Sequence, residues 1–202
     1  MARTGDSEAT RRIDWRAGAW THPPVATRRT HDGALLVTAV EGSDAWRHTA
    51  YGFVHDSEHA LVVPFEHDSA MEVEFGTPLT TQFDQAGIFV RASDEHWVKA
   101  GIEFADGVPA IGAVVTHGRS DWSATPAPEW LDRRVTFRVS WAGDALTVRA
   151  RVEDAAWQLV RLLPLDARRG VTAGPFLCAP TRGGLEVPFY DWRVGAPDAS
   201  LH

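Results

Sequence analysis

The sequence predicts an all-β protein folded as a two-sheet antiparallel β-sandwich of the jelly-roll type. Three observations predict this class. Apolar and polar residues alternate in short runs, Gly, Pro, Asp and Ser separate those runs, and no long segment has the period of an amphipathic helix. A series of short strands without intervening helices packs as two sheets rather than as an α/β fold.

The predicted strands share this alternation and are joined by good turn sequences. They lie at residues 33–40, 49–55, 60–66, 70–75, 85–92, 96–104, 109–117, 134–141, 145–152, 157–164, 170–178 and 185–194. The segments ASDEH, ADGVP and WAGDA are typical of hairpin connections. No repeat or linker interrupts residues 13–194. We therefore expect a single domain there, with a frayed or disordered N-terminus at 1–12 and a C-terminal tail at 195–202.

Composition narrows the function classes. The chain of 202 residues is 44% hydrophobic, which is enough for a full core, and its formal net charge of −7 argues against nucleic-acid binding. Its one cysteine, Cys178, cannot form an internal disulfide. The N-terminus has no apolar signal segment, and no apolar run is long enough to cross a membrane. We therefore expect a cytoplasmic protein with no membrane partner.

The segment DQAGIFVRASDEHWVKAGIEF (84–104) predicts a hairpin whose register can be inferred from its turns. If Ala92 pairs with His96, Arg91 lies opposite Trp97 and Gln85 lies opposite Glu103. The Asp-Gly turn at 106–107 then adds a third strand. One face of the three strands is wholly apolar and should face the core: Ala86, Ile88, Val90, Val98, Ala100, Ile102, Phe104, Ile111, Ala113 and Val115.

The second face of these strands is neither a core nor an ordinary surface. It carries charges, amides and aromatic rings, and Gly87, Gly101 and Gly112 form a row across it. Glycine inside a strand often marks a place where another group approaches the backbone closely. We interpret this face as the floor of a shallow site. The simpler interpretation is a solvated sheet with a cation–π contact between Arg91 and Trp97.

Four segments of the sequence resemble one known family: SDAWRHTAYGFVHDSEHAL (43–61), FDQAGIFVRASDEHWVKAGIEFADGV (83–108), VVTHGRSDWS (114–123) and PFLCAP (175–180). This is the regulation-of-enolase family, a domain of unknown function (family 1349) in the concanavalin A-like lectin/glucanase superfamily. The resemblance runs from about Trp15 to Val194. It implies a concanavalin A-like sandwich with a concave sheet that in this superfamily commonly carries carbohydrate. The chain departs from the family pattern at Ala50, where a His is usual, and at Ser57-Glu58, where Asn-Gly is usual.

The motif residues of this resemblance supply the candidate ligand-binding side chains. A sugar site needs aromatic faces for C–H surfaces and planar amides or carboxylates for hydroxyls. The candidates are Trp46, His48, Tyr51, Asp56, Gln85, Arg91, Trp97, Lys99, Glu103 and Trp122. For the tryptophans, packing in the core or in a loop is the alternative.

Glycoside hydrolysis requires two carboxylates across one bond. Glu103 with Asp84 or Asp121 is one candidate pair, although no local motif supports it. Glu72 and Glu74 share a strand face, but we interpret them as the solvated reverse of a core strand. Because Lys99 should keep Glu103 ionised, and no apolar pocket is evident for a carboxylic acid, we expect binding without turnover.

No metal or cofactor is predicted. The densest histidine cluster, HDSEH (55–59) followed by His67-Asp68, lacks a metalloprotease spacing and is interpreted as a polar turn. Cys178 has no basic neighbour in sequence and is interpreted as a buried, inert thiol. Ser120 in GRSDW lacks the context of a nucleophile elbow.

Three functions remain open at this point. The preferred one is a non-catalytic module that binds a carbohydrate or a sugar-like metabolite. The alternatives are a glycoside hydrolase that uses the same face, and a regulatory domain that binds another protein, as the family name suggests.

Overall fold

Two antiparallel sheets packed face to face account for almost all regular structure in the computed structural model, which describes residues 10–165 and 170–201. Two short 3-10 helices, Trp15–Ala17 and Pro128–Trp130, lie between strands. The strands are β1 (Arg11–Arg12), β2 (Ala19–Trp20), β3 (Ala26–Arg29), β4 (Leu35–Thr38), β5 (Ala45–Arg47), β6 (Val54–Asp56), β7 (His59–Pro64), β8 (Ser69–Gly76), β9 (Gln85–Arg91), β10 (His96–Ala105), β11 (Val108–His117), β12 (Arg119–Pro126), β13 (Arg134–Ala142), β14 (Ala145–Val152), β15 (Gln158–Pro164), β16 (Thr172–Cys178) and β17 (Glu186–Gly195).

These strands form two large sheets and one separate hairpin. The back sheet has the order β15-β14-β13-β8-β17-β4-β3, with β1 added to β17. The site sheet has the order β12-β11-β10-β9-β16-β7-β2. Strands β5 and β6 pair only with each other, and we call residues 45–56 the cover hairpin. The predicted all-β sandwich is therefore confirmed.

The core lies between the sheets and is rich in large side chains. Phe75, Phe137, Phe189 and Trp192 of the back sheet are at most 1% exposed, and they meet the aliphatic face of β9 to β11. Strand side chains alternate between the two faces of a sheet, so one face of each sheet fills this core. Burial of this apolar area is the main contribution to stability.

The predicted register of the central strands is confirmed. Arg91 pairs with Trp97 and Gln85 with Glu103, and the three glycines of the row lie opposite one another across β9, β10 and β11. Asp106 and Gly107 both have positive φ angles, of 54° and 83°. That conformation is typical of the tight turn whose twist matches the flanking strands, and it fixes the register.

The strand predicted at 49–55 is wrong. Residues 48–53 form a turn in which His48, Ala50 and Gly52 have positive φ, so only Val54–Asp56 is extended there. The strand β12 at Arg119–Pro126 and the short strands β1, β2, β3 and β5 were not predicted.

The ordered structure also extends past the predicted domain limits of 13 and 194. Arg11 and Arg12 pair with β17, and the Asp198 carboxylate accepts hydrogen bonds from Arg138 and Arg149. Residues 1–9 lie outside the described part of the chain.

Candidate functional site

The outward face of the site sheet, turned away from the core, is partly covered by another element. The cover hairpin lies over it, where the Arg47 backbone N–H donates to Ser120 Oγ at 2.9 Å and the Arg47 guanidinium pairs with Glu95 at 2.7 Å. Trp46 of the hairpin packs with Phe89 and Trp97 in a second, smaller hydrophobic cluster. The shallow trough expected from the sequence is therefore a roofed cavity.

This cavity has a volume of about 350 Å³, within the ~300–1,000 Å³ that small-molecule sites usually have. It lies between the cover hairpin and the outward face of β9 to β12, and a shallower part of it borders Gly101 and Gly112. Its lining is Gly42, Asp44, Trp46, Tyr51, Phe53, His55, Phe83, Gln85, Lys99, Glu103, Val114, Trp122, Pro180 and Thr181.

The floor of the cavity is a buried ion pair. Lys99 Nζ, on a side chain only 5% exposed, donates to Asp44 Oδ1 at 2.7 Å. The same oxygen accepts from Gln85 Nε2 at 3.3 Å and from the Ala45 backbone N–H at 2.8 Å. Burial opposes the charge of Lys99, but the adjacent Asp44 carboxylate raises its pKa above the usual value. Lys99 is therefore an ammonium group that is held in place.

Glu103 corrects the expectation of an ionised carboxylate. Burial raises the pKa of Glu103 to about 7; Lys99 opposes this shift, and the Asp44 carboxylate adds to it. The sequence argument counted Lys99 but not burial, which has the larger effect on the pKa, and Asp44 offsets part of the Lys99 charge. Glu103 is therefore shared between its acid and carboxylate forms near neutral pH.

A chain of aromatic rings forms one wall of the cavity. Trp46 meets Tyr51 edge-on with 5.7 Å between ring centres, Tyr51 stacks on Phe53 at 5.4 Å, and Phe53 meets His55 at 4.6 Å. The Trp46 indole N–H donates to the Thr49 carbonyl oxygen, which fixes the turn at the hairpin tip. Trp122, 43% exposed, also lines the cavity.

Close packing of adjacent strands explains the row of glycines. A side-chain carbon at Gly87 would overlap the Ala100 carbonyl oxygen, and one at Gly101 would overlap the Ala86 carbonyl oxygen. These glycines therefore allow neighbouring strands of the sheet to pack closely against each other. Because Gly101 and Gly112 lack side chains, they also leave open space over the sheet beside Glu103.

The structure brings six of the ten candidate binding residues to the cavity: Trp46, Tyr51, Gln85, Lys99, Glu103 and Trp122. The other four lie outside its lining. Trp97 is 6% exposed and stacks on Phe89, while Arg91 donates to Asp94 at 2.7 Å. His48 lies in the hairpin turn, and Asp56 lies at the far end of β6.

Asp84 and Asp121 are not placed to form a catalytic pair with Glu103. Asp84 is fully buried, where its carboxylate accepts the backbone N–H groups of Thr80 and Thr81 and pairs with Arg182 at 2.7 Å. Asp121 alternates with Trp122 along β12, so it points to the opposite face, and it pairs with Arg161.

The remaining candidates have structural partners. Glu72 and Glu74 lie on the back sheet, paired with Arg138 and Arg134, as expected for the reverse of a core strand. Cys178 is fully buried, and burial raises its pKa well above the usual value. Lys99 is its basic neighbour in space, but burial outweighs that charge.

The polar cluster HDSEH is divided between several surroundings and is not a simple polar turn. Its first residue, His55, lines the cavity, whereas Glu58 is buried on another side of the hairpin. His59 is buried between the Val40 backbone N–H and the His22 carbonyl oxygen, each at 3.0 Å. His67 pairs with Asp68 elsewhere.

Sequence reasoning missed Asp44, the residue that organises the floor. One signal was available. Lys99 stands between Val98 and Ala100 in a buried strand, and a buried lysine needs a carboxylate partner. Nothing in local spacing selects Asp44, which is far from Lys99 in sequence. The cavity residues Phe53, His55, Phe83 and Thr181 come from loops and strand ends, and they follow no pattern.

Comparison with known proteins identifies the family. The model of the family described as "Protein of unknown function (DUF1349)" matches residues 20–197. The chain belongs to this family. Among its relatives, Regulation of enolase protein 1 of Saccharomyces cerevisiae is 37% identical over 180 residues, which are 89% of this chain and 90% of the yeast protein. The uncharacterized protein AN7484 of Emericella nidulans is 26% identical over 99 residues, 47% of this chain and 44% of that protein.

Solved structures agree on the sandwich. A functionally unknown protein from Saccharomyces cerevisiae superposes with a TM-score of 0.86 at 34% identity, covering 93% of this chain and all of that one. A xylan beta-1,4-xylosidase from Bacillus halodurans C-125 gives a TM-score of 0.69 at 15% identity, over 96% of this chain and 41% of that chain. At that identity the match shows the fold alone.

In the described part of the DUF1349 chain, no helix is long and apolar enough to span a membrane.

Proposed function

We propose that the cavity beneath the cover hairpin binds a small carbohydrate or sugar-like metabolite without turnover. The observation that carries this proposal is the pairing of a polar floor with an aromatic wall in one cavity of about 350 Å³. The floor is charged and hydrogen-bonding, with Asp44, Lys99, Gln85 and Glu103. Tyr51, Phe53 and Trp122 supply aromatic faces.

A sugar has the complementary chemistry. Its hydroxyl groups can both donate to and accept from the floor, because Asp44 accepts, Lys99 donates and Gln85 does both. Its C–H surfaces can pack on aromatic rings, which bury apolar area and keep a polar edge available. A purely apolar ligand would cover this polar floor without offering it any hydrogen bond and is disfavoured.

Titration calorimetry against a panel of neutral and acidic mono- and disaccharides tests the proposal. We expect at least one to bind, and we expect Trp122→Ala to weaken that binding about tenfold, or on the order of 1.5 kcal/mol. Trp157→Ala is the matched control, because Trp157 packs on Arg151 outside the cavity. Failure of the whole panel, or equal losses in both variants, would count against the proposal.

Hydrolysis of a glycoside is the second candidate, and one observation favours it. Burial, with a smaller contribution from the Asp44 carboxylate, raises the pKa of Glu103 to about 7, as is typical of a general acid in an enzyme site. A panel of chromogenic aryl glycosides distinguishes the two. Turnover by the wild type that is lost in Glu103→Gln, with sugar binding retained, would replace the binding proposal with a hydrolase.

A role in regulation is compatible with either chemistry. The yeast relative's name refers to regulation of enolase, and the tip of the cover hairpin exposes Tyr51 and Phe53 at the rim of the cavity. A protein that bound this exposed tip would lie beside a ligand held under the hairpin. Affinity capture with and without the bound sugar would show whether the two events are coupled.

A further inference from the structure

A second group of chemically active side chains lies outside the cavity. His22, after β2, meets Asp56 and Glu58, which lie at the end of β6 and in the connection to β7. One ring nitrogen of the histidine and one oxygen of each carboxylate all lie within 4.8 Å of one another. The cluster thus combines one nitrogen and two oxygen ligands from two separate segments of the chain.

The backbone around this cluster is held firmly. Thr21 Oγ1 donates to the Glu58 carbonyl oxygen at 3.0 Å, and the Thr21 backbone N–H donates to the Ala60 carbonyl oxygen at 2.9 Å. His59 Nδ1 contacts the His22 carbonyl oxygen at 3.0 Å, and its other nitrogen accepts from Val40. Because both nitrogens of His59 are used, it orients the segment that carries His22.

Glu58 is the anomaly that points to a ligand. Its side chain is 1% exposed, and neither carboxylate oxygen has a hydrogen-bond partner among the described residues. Its closest approach to a basic side chain is 3.9 Å, from Oε1 to His22 Nδ1. Arg91 is near enough to feel the charges of Asp56 and Glu58, but its guanidinium hydrogen-bonds Asp94. An unpartnered buried carboxylate is unfavourable, so such a group normally takes up a proton, pairs with a cation or binds a metal.

We propose that His22, Asp56 and Glu58 bind a divalent transition-metal ion of the zinc type. Imidazole nitrogen combined with carboxylate oxygen suits zinc and its neighbours, whereas an all-oxygen set would suit calcium or magnesium. Three protein ligands leave a fourth position for water, which is the arrangement of an open zinc site.

The geometry requires only a small closure. Ligand atoms at ~2.0–2.2 Å from a tetrahedral zinc are ~3.4 Å apart, so separations of up to 4.8 Å must shorten by up to about 1.4 Å. The exposed Asp56 and the partly exposed His22 can rotate inward, while Glu58 already lies inside. His22 Nδ1 contacts the Glu58 carbonyl oxygen at 3.0 Å. Coordination through Nε2 keeps this contact, and coordination through Nδ1 replaces it.

Thermal unfolding of the full chain, stripped with chelator and then titrated with Zn²⁺, tests this site. At Zn²⁺ concentrations a hundredfold above the Kd, we expect Tm to rise by about 5–10 °C. Elemental analysis should find one zinc per chain. His22→Gln, Asp56→Asn and Glu58→Gln should each weaken Zn²⁺ binding by at least ~10-fold, the loss that even an outer-shell change can cause.

His67→Gln is the matched control, because His67 is an exposed histidine 3.0 Å from the Asp68 carboxylate. It should bind Zn²⁺ like the wild type. Asp56→Asn alters an exposed residue and is expected to fold, so the test survives if a buried substitution does not. No Tm response to Zn²⁺ in the wild type would overturn the proposal. So would an equal response in Asp56→Asn and His67→Gln, or a response to Ca²⁺ alone that His22→Gln leaves unchanged.

Discussion

Lys99 and Asp44 illustrate how single residues determine the site. Lys99 is a buried residue of β10. Its ammonium group retains its charge because the Asp44 carboxylate lies 2.7 Å away. Gln85 and the Ala45 backbone complete the shell around the shared oxygen. The ion pair on the floor of the cavity is therefore expected to stabilise the fold as well as to contact a ligand. Mutations can test these two roles separately.

Removing the carboxylate should destabilise the fold strongly. Asp44→Asn leaves Lys99 buried without a counter-charge, which should cost about 3–5 kcal/mol in the free energy of unfolding, measured by urea denaturation. The double variant Asp44→Asn/Lys99→Met should recover much of this loss. Asp94→Asn, which removes an exposed partner of Arg91, should leave the free energy of unfolding nearly unchanged. Equal losses for Asp44→Asn and Asp94→Asn would show that the buried pair has no special weight.

Glu103 should give the protein a pH-dependent stability. Its pKa is about 7 in the folded chain and 4.5 in the ordinary state, so the folded chain binds more protons between these values. Stability should therefore fall as pH rises from about 4.5 to about 7, by up to about 3 kcal/mol. Glu103→Gln should remove this loss, so the variant should gain on the wild type between pH 5 and pH 8.

Urea denaturation at several pH values measures this difference, with Glu129→Gln, an exposed glutamate, as the control. A stability difference between Glu103→Gln and the wild type that stays constant from pH 5 to pH 8 would mean that Glu103 is ionised throughout.

The cover hairpin is the element that turns one sheet face into a cavity. Among the described residues it pairs with no strand of either sheet. It is held chiefly by Trp46 in the second hydrophobic cluster and by the contacts of Arg47 with Ser120 and Glu95. An element held in this way can open locally without unfolding the sandwich.

Trp46→Ala should therefore loosen the hairpin selectively. We expect faster amide hydrogen exchange in residues 44–57, with little change in β9 to β11, because the core between the sheets is untouched. Trp157→Ala again serves as the control. Exchange that rises equally throughout the site sheet would show that the hairpin and the sheet unfold as one unit.

The sequence predicts some elements better than others for a physical reason. The register of β9, β10 and β11 follows from alternating side chains and from the Asp106-Gly107 turn, both of which are local signals. The cover hairpin has no such signal. Its turn depends on positive φ angles at His48 and Ala50, and neither residue type predicts such a conformation from the sequence. Its position depends on contacts with Ser120 and Glu95, which are distant in sequence.

At the scale of the whole molecule, the two faces of the site sheet have separate tasks. The inner face closes the sandwich against the back sheet, and the outer face holds the cavity. Sequence periodicity predicted this division, and six of the ten candidates taken from the family motifs line the cavity. It did not predict that the outer face is covered, because hydrophobic alternation reports which residues are buried in a core and not what packs over the second face.

A crystal structure of the protein with the tightest-binding saccharide from the panel tests the proposed site directly. The sugar should lie beneath the cover hairpin, with hydroxyl groups within hydrogen-bond distance of Asp44, Lys99, Gln85 or Glu103, and with a C–H face against Trp122 or Tyr51. A sugar bound elsewhere on the sandwich, with the cavity closed or filled by its own side chains, would contradict the proposed binding site.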